Sequence, residues 1–267
     1  MRYVLLSILI LLLCLFSGVI LTKLLLRKRP LRTWQRVLLS CGTPPVLLAL
    51  CLAILLLDYY RSEPSVREFL RSTERVRVES IREGYFFDGP GDGSALVFYP
   101  GARVEESAYA PLLFRLADAG LDCFLAKMPA HMAVFAPDIA EQIIAEHPRE
   151  RWYLMGHSLG GVLAASYAAD HGGIDGLILL ASYPTKELPE GLRLLCLYGS
   201  EDGCMTRSAY ESSKAYWPED AAEAVIDGGN HAQFGNYGAQ LGDGAARISA
   251  REQQDATLEA VMAWADP

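Results

Sequence analysis

The stretch RWYLMGHSLGGVLAA (residues 151–165) is the most informative part of the sequence. A strand-like apolar run at 151–155 leads into the pentapeptide GHSLG, and an apolar helix-like run follows it. Glycines two residues to either side of a serine are typical of a sharp turn from strand to helix, because only small neighbours let the two elements approach. The helix N-terminus then points free N–H groups at a developing oxyanion. The stretch predicts a nucleophile at Ser158; the alternative, a phosphate-binding turn, lacks the lysine of a P-loop.

Strand-like and helix-like segments alternate on both sides of this turn. Several strand candidates are continuous apolar runs, as expected for parallel strands covered on both faces. The alternation predicts an α/β fold, a mostly parallel sheet with helices on both faces, whose first two strands form an antiparallel edge hairpin. Only residues 182–191 separate two consecutive strands after the serine, which leaves no room for a lid domain. The strand candidates are 76–81, 84–87, 95–99, 121–126, 151–155, 176–181, 192–198 and 222–226, and the helix candidates are 107–119, 136–147, 159–170, 206–215 and 250–264.

A serine needs a base and an orienting carboxylate before it can act as a nucleophile. Of the five histidines, only His171 and His231 follow the serine. His171 ends the helix that begins there, about 20 Å away, so it is a poor base. His231 lies in a loop after the last predicted strand and is our predicted base. The preceding strand ends in GSEDG, where we favour Asp202 as the acid, with Glu201 as the alternative.

Two further features complete the predicted site. An oxyanion hole needs the N–H of the residue after the nucleophile, Leu159, and a second N–H from the loop after an earlier strand. That loop reads Pro100-Gly101-Ala102; proline has no N–H, so Ala102 is the predicted donor and Gly101 the alternative. The apolar stretch containing Met128 and His131 is a candidate pocket wall, although ordinary core packing explains it equally well.

Four motifs together resemble one known family. FYPGA (98–102), MGHSLGG (155–161), YGSEDG (198–203) and GGNHAQFGNYG (228–238) look like an α/β-hydrolase of the dienelactone-hydrolase-like branch, over about residues 76–265. The resemblance implies a Ser-His-Asp hydrolase acting on an ester, thioester or lactone, with no cofactor. Two departures stand out: Ser158 replaces the cysteine nucleophile of the dienelactone hydrolases, and Pro100-Gly101 replaces the usual oxyanion His-Gly.

The first sixty residues are more apolar and more basic than the rest of the chain. Residues 3–22 and 37–57 are uncharged apolar runs, each long enough to cross a bilayer as a helix. Pro44-Pro45 interrupts the second run, and a cleaved signal peptide is the alternative for the first. We therefore expect a transmembrane hairpin over 1–61, a juxtamembrane linker over 62–75 and the hydrolase domain over 76–267.

Charge gives the expected orientation and excludes some partners. Residues 1–60 carry seven basic side chains and one acidic, and six of the basic ones lie between the two apolar runs. Basic short loops stay cytoplasmic, so we expect a multi-pass cell-membrane protein with an extracytoplasmic catalytic domain. The net charge of −8 argues against a nucleic-acid partner. No Cys/His spacing indicates a metal.

The expected function is therefore that of a membrane-anchored serine hydrolase with a small-molecule acyl substrate. A peptidase or acyltransferase on the same triad stays open, as does a noncatalytic binding or sensory domain.

Overall fold

The computed structural model describes residues 58–91 and 93–265, together with scattered positions before residue 58. Two compact units divide the chain, residues 1–58 and 59–267. The predicted spans 3–22 and 37–57 lie outside the described residues, apart from those scattered positions. Within the described part of the chain, no helix has both the length and the apolar character needed to cross a membrane.

The second unit is built on one eight-stranded sheet in the order β1-β2-β4-β3-β5-β6-β7-β8. β1 and β2 form an antiparallel hairpin at one edge, β2 pairs antiparallel with β4, and every pairing from β4 through β8 is parallel. The predicted α/β fold and its edge hairpin are thus confirmed. The strands are β1 Arg77–Ile81, β2 Gly84–Asp88, β3 Ser94–Tyr99, β4 Asp122–Ala126, β5 Arg151–His157, β6 Gly176–Leu180, β7 Arg193–Gly199 and β8 Ala222–Ile226.

Five α-helices connect or flank the strands in the described part of this unit. They are α1 Ala110–Asp118, α2 Ile139–Glu146, α3 Leu159–Asp170, α4 Arg207–Ser213 and α5 Ala250–Ala265. Short 3₁₀ segments cover Pro64–Leu70, Glu106–Tyr109, Pro129–His131, Ala133–Phe135, Lys214–Tyr216 and Ala232–Phe234. No helix occupies residues 181–192, which join β6 to β7, in agreement with the absence of a lid domain there.

Two apolar cores lie on opposite faces of the sheet, as the continuous apolar strands predict. Alternate residues of β3 supply the two faces: Leu96 and Phe98 pack in the core with α1 and α5, and Val97 and Tyr99 pack in the core with α2, α3 and α4. β3 itself is buried over its whole length. The parallel strands therefore run through the interior and end at one edge, where the loops that follow them meet.

The predicted linker 62–75 belongs to the second unit. Pro64–Leu70 forms a 3₁₀ helix whose Val66 is buried, and Phe69 packs edge-on against Phe114 of α1, with ring centroids 5.7 Å apart. This segment covers one side of the α1 core.

Candidate active site

Ser158 lies at the turn between β5 and α3 with backbone angles that are rare for a side-chain-bearing residue. Its φ is +53° and its ψ is −126°. The strain is held from both sides: the Ser158 N–H donates to the Leu180 carbonyl (2.9 Å), and the Ser158 carbonyl accepts from the Ser182 hydroxyl (2.7 Å). A strained backbone fixed by its neighbours is the geometry of a nucleophile elbow, which exposes the serine Oγ at the sheet edge.

Gly156 and Gly160 are required because other backbone segments pack too close to them to leave space for a side chain. A Cβ atom at Gly160 would lie 2.2 Å from the Tyr99 carbonyl oxygen, and one at Gly156 would lie 2.6 Å from the Cα of Gly161. Both contacts are with backbone, which cannot rotate away. Helix α3 therefore packs directly on β5 and β3 and brings its N-terminus beside the loop that follows β3.

His231 and Asp202 form a buried pair beside the serine. The Asp202 Oδ2 is 2.9 Å from the His231 Nδ1, and the two side chains are 0% and 3% exposed. The other Asp202 oxygen, Oδ1, accepts from the N–H groups of Cys204 (2.9 Å) and Met205 (2.8 Å). Both carboxylate oxygens are therefore committed, and Oδ2 is left to hold the imidazole. Glu201, the alternative acid, instead pairs with Arg247 at the surface (3.0 Å).

The surroundings of Asp202 keep it ionised. Burial alone would raise the pKa of its carboxyl, but the hydrogen bond and charge of His231 and the two backbone N–H groups outweigh burial and lower that pKa below its usual 3.8. A carboxylate that stays charged next to Nδ1 favours the imidazole tautomer with its proton on Nδ1. The Nε2 of His231 is then free to accept a proton.

Asp243 joins the acid loop to the base loop, and the sequence analysis did not identify it. Its Oδ1 accepts from the N–H groups of Gly203 (3.1 Å) and His231 (3.2 Å), and its Oδ2 accepts from the N–H of Ala232 (2.8 Å). One carboxylate thus fixes the backbone on both sides of the Asp202–His231 contact. The only sequence signal is an aspartate between two glycines in a long irregular loop.

A second buried network, also missed from the sequence, connects the turn at Ser158 to its neighbouring loops. The His157 Nε2 is 3.1 Å from the His231 carbonyl oxygen, which only accepts, so this nitrogen carries the proton and donates. The Nδ1 then accepts from the Tyr109 hydroxyl (2.8 Å), and the Tyr109 oxygen accepts from the Gly101 N–H (3.1 Å). These hydrogen bonds join the loop after β3, the turn at Ser158 and the loop of His231.

Burial sets the charge state of this network. Burial first, and the charge of His231 second, lower the pKa of His157 well below 6.5. Burial likewise raises the pKa of the Tyr109 hydroxyl. His157 is therefore a neutral imidazole that donates at one nitrogen and accepts at the other, as the hydrogen bonds require.

The two candidate oxyanion donors after β3, Gly101 and Ala102, differ in whether their N–H already has an acceptor. The Gly101 N–H is taken by Tyr109. In the described part of the chain, no acceptor pairs with the Ala102 N–H. Leu159 is the first residue of α3, where backbone N–H groups lack intrahelical acceptors. Leu159 and Ala102 therefore remain the candidate pair of donors.

A cleft of about 180 Å³ lies at Ser158. None of its lining side chains among the described residues belongs to Lys, Arg, Asp or Glu, so an acyl group beside the serine would meet an uncharged surface. The lining residues are Ser158, Leu159, Val162, Ala181, Ser182, Tyr183, Cys204, Met205, Thr206 and His231. A larger cavity of about 450 Å³ opens beside the start of β7, where no candidate catalytic side chain lies.

Met128 and His131 are not among the residues that line this cleft. Met128 is 3% exposed and packs within the core on the α3 face. The His131 ring contacts the Tyr59 ring in a tilted arrangement, with ring centroids 4.0 Å apart, and its Nδ1 lies 3.5 Å from the Glu106 Oε2. Ala130 and His131 both have positive φ, which turns this loop away from the path an extended segment would take.

No metal site is apparent in residues 58–91 and 93–265, where no group of three or more His, Cys, Asp or Glu side chains is arranged to hold an ion.

The fold is an α/β scaffold with a strained serine turn at the carboxyl edge of its sheet. The chain belongs to the alpha/beta hydrolase family, whose sequence pattern it matches over residues 95–255. It is therefore a hydrolase by family. The matched range contains Ala102, Ser158, Asp202 and His231. A comparison with curated proteins finds no match to this chain.

Two solved structures share the fold. TT1662 from Thermus thermophilus is 17% identical, with a TM-score of 0.51, and the alignment covers 72% of this chain and 99% of that one. A candidate hydrolase from Bacillus subtilis is 12% identical, with a TM-score of 0.50, and the alignment covers 74% of this chain and 95% of that one. At these identities the likeness concerns the fold alone.

Proposed function

We propose that this protein is a membrane-anchored serine hydrolase that cleaves a carboxylic ester, thioester or lactone through an acyl-enzyme. The observation that carries the proposal is the buried contact between Asp202 and His231 at 2.9 Å, because His231 lines the same cleft as the strained Ser158. Burying both groups costs stability, and proteins keep such a cost where the groups have a chemical use, so the pair favours an enzyme over a noncatalytic domain.

In the proposed reaction, the same side chains and backbone donors act in acylation of Ser158 and again in hydrolysis of the acyl-enzyme. The His231 Nε2 takes the Ser158 hydroxyl proton as Oγ attacks the substrate carbonyl carbon. The oxyanion that forms is bound by the N–H groups of Leu159 and Ala102, a contribution of about 10²–10³ in turnover per donor. Collapse breaks the bond to the leaving group, which takes the proton from His231. Water then attacks the acyl-enzyme by the same route, with Asp202 stabilising the imidazolium in both halves.

The cleft favours a small, uncharged acyl group. Val162, Tyr183 and Met205 present apolar surface next to the nucleophile. A cleft of about 180 Å³ is below the usual ~300–1,000 Å³ of pockets that enclose a drug-sized ligand, so a large leaving group would extend into solvent.

Membrane anchoring is supported by the sequence. The apolar runs 3–22 and 37–57 have bilayer length, and six basic residues lie between them. We propose that this basic loop is cytoplasmic and that the catalytic domain lies on the other side of the membrane.

The test is hydrolysis by the full-length chain in detergent, with Ser158→Ala as the matched control. A panel of p-nitrophenyl acetate, an acyl thioester, a lactone and a peptide amide separates the substrate classes, and an added alcohol acceptor reports acyl transfer. We expect ester or thioester turnover with an acyl adduct on Ser158 detectable by peptide mass. Turnover that survives Ser158→Ala would contradict the proposal.

A further inference from the structure

The segment Tyr59–Glu63, here called the stem, follows the second predicted span and is bonded to the loop that carries Ala102. The Tyr60 N–H donates to the Arg103 carbonyl (2.7 Å), and the Glu105 N–H donates to the Tyr60 carbonyl (2.9 Å). These two bonds form a parallel bridge between Tyr60 and Val104. The stem is therefore part of the catalytic unit and is held at the loop after β3.

The stem also contacts the loops that follow β4 and β8. The Tyr59 ring packs against the ring of His131 in the loop after β4, with ring centroids 4.0 Å apart. The Tyr60 hydroxyl accepts from the N–H of Leu241 in the loop after β8 (3.1 Å). The carbonyl of Asn236 in the same loop accepts from the N–H of Glu63, the last residue of the stem (2.8 Å). All three loops follow the carboxyl ends of strands, so the stem lies along the same edge of the sheet as Ser158.

Large apolar side chains are exposed on two of the loops that the stem touches. Val134 and Phe135, after β4, are 44% and 60% exposed, and Leu241, after β8, is 92% exposed. We call these three residues the apolar rim. Among the described residues between 59 and 265, the other exposed large apolar side chains are Tyr216 at 39% and Val225 at 50%. Exposed apolar groups are common singly, but three of them on two loops that one segment contacts favour an interaction surface.

Chain length limits how far the stem can be from the second predicted span. The second predicted span ends at Leu57, and two residues of extended chain reach at most about 7 Å. Tyr59 therefore lies within about 7 Å of the end of that span. The Arg61 guanidinium lies over the Tyr59 ring at 5.0 Å. Tyrosine and arginine side chains are favoured at the level of the lipid headgroups, where an apolar body and a polar end both find partners.

We propose that the apolar rim inserts into the bilayer surface and that the substrate is an amphiphilic acyl ester of the lipid phase, delivered to Ser158 from the membrane. This inference rests on the proposed hydrolase function and on the membrane anchor. The stem holds the rim and the catalytic loops on one edge of the sheet. An ester at headgroup depth can then reach the nucleophile without leaving the lipid, and the uncharged cleft receives its acyl carbonyl.

The first test measures insertion and does not depend on activity. The full-length chain carrying Phe135→Trp is placed in phosphatidylcholine vesicles with or without bromine on the acyl chains, beside Val225→Trp as the matched exposed control. The parent with its four natural tryptophans gives the background emission, which is subtracted to leave the emission of the introduced tryptophan. We expect brominated lipid to quench that emission strongly in Phe135→Trp and not in Val225→Trp. Equal quenching of both variants, or of neither, would overturn insertion. A blue shift without quenching indicates a protein partner instead and also overturns it.

The second test measures the substrate class. The double variant Phe135→Ser with Leu241→Ser should lower kcat/KM for the acetyl ester of a long-chain alcohol embedded in vesicles by about tenfold, because two apolar contacts with lipid are lost. Its kcat/KM for water-soluble p-nitrophenyl acetate should not change, and Val225→Ser should affect neither substrate. Equal losses on both substrates, or none, would overturn the lipid-ester inference. Absence of any turnover by the parent would instead contradict the hydrolase proposal, while the quenching result stands by itself.

Discussion

Replacing Asp202 by Asn should abolish most activity while leaving the fold in place. The reason lies in the contacts of the two carboxylate oxygens. Oδ1 accepts from the N–H groups of Cys204 and Met205, and only an oxygen can occupy that position. The amide nitrogen of Asn must therefore face the His231 Nδ1, where the Oδ2 now lies at 2.9 Å. An amide N–H donates, so the imidazole has to accept on Nδ1 and carry its proton on Nε2.

That tautomer cannot take a proton from Ser158. The expected loss is about 10⁴-fold in kcat, the size found where an orienting aspartate becomes an amide without a change of geometry. The assay is kcat for p-nitrophenyl acetate with the full-length chain, with the thermal unfolding midpoint measured beside it. Because the Asn side chain keeps both backbone hydrogen bonds and the volume of Asp, we expect the midpoint to change by only a few degrees, corresponding to about 1 kcal/mol.

Glu201→Gln is the matched control for this experiment. Glu201 is the adjacent carboxylate in the same turn, but it pairs with Arg247 at the surface, and surface pairs contribute about 0–1 kcal/mol. We expect its kcat to be close to that of the parent. Equal losses in Asp202→Asn and Glu201→Gln, or an Asp202→Asn enzyme with more than about a tenth of parental kcat, would refute the tautomer argument.

Three further predictions concern the elements around the triad. Tyr109→Phe leaves the His157 Nδ1 and a backbone N–H buried without partners, so the free energy of unfolding should fall by about 2–4 kcal/mol in urea titrations; an unchanged midpoint contradicts the network. Because burial lowers the pKa of His157 below its unfolded value, unfolding takes up a proton. Stability should therefore decline as pH falls below about 6.5, and less so in His157→Gln, in melts between pH 5.5 and 7.5. Gly160→Ala places a Cβ 2.2 Å from the Tyr99 carbonyl oxygen and should lower both melting temperature and kcat, whereas Gly172→Ala, with nothing within 4 Å, should not.

The parts of the site that sequence analysis predicted are those defined by local pattern and chain order. The turn at Ser158 follows from glycines spaced along one short segment, and the close contact at Gly160 shows why they are needed. Asp202 and His231 were predicted as a pair because each follows a strand that ends at the same edge of a parallel sheet. The structure brings their side chains to 2.9 Å, although their chemical roles remain a proposal.

The contacts that the sequence did not predict join distant segments through polar atoms. Asp243 binds backbone N–H groups, which carry no side-chain signature, from a loop without regular structure. Tyr109 and His157 are 48 residues apart, and each is an ordinary residue of its own segment until the fold brings them together. Loop paths were also unpredictable: two consecutive positive-φ residues redirect the segment of Met128 and His131, and neither residue is of a type that signals this conformation.

A fluorophosphonate probe reports whether Ser158 is an activated nucleophile, because it reacts with activated serines. The full-length chain would be labelled in detergent beside Ser158→Ala and Asp202→Asn, and the modified residue identified by peptide mass. We expect one adduct on Ser158 in the parent, none in Ser158→Ala and much slower labelling in Asp202→Asn. A folded parent that stays unlabelled, or an adduct on any other residue, would contradict the proposal that Ser158 is the nucleophile.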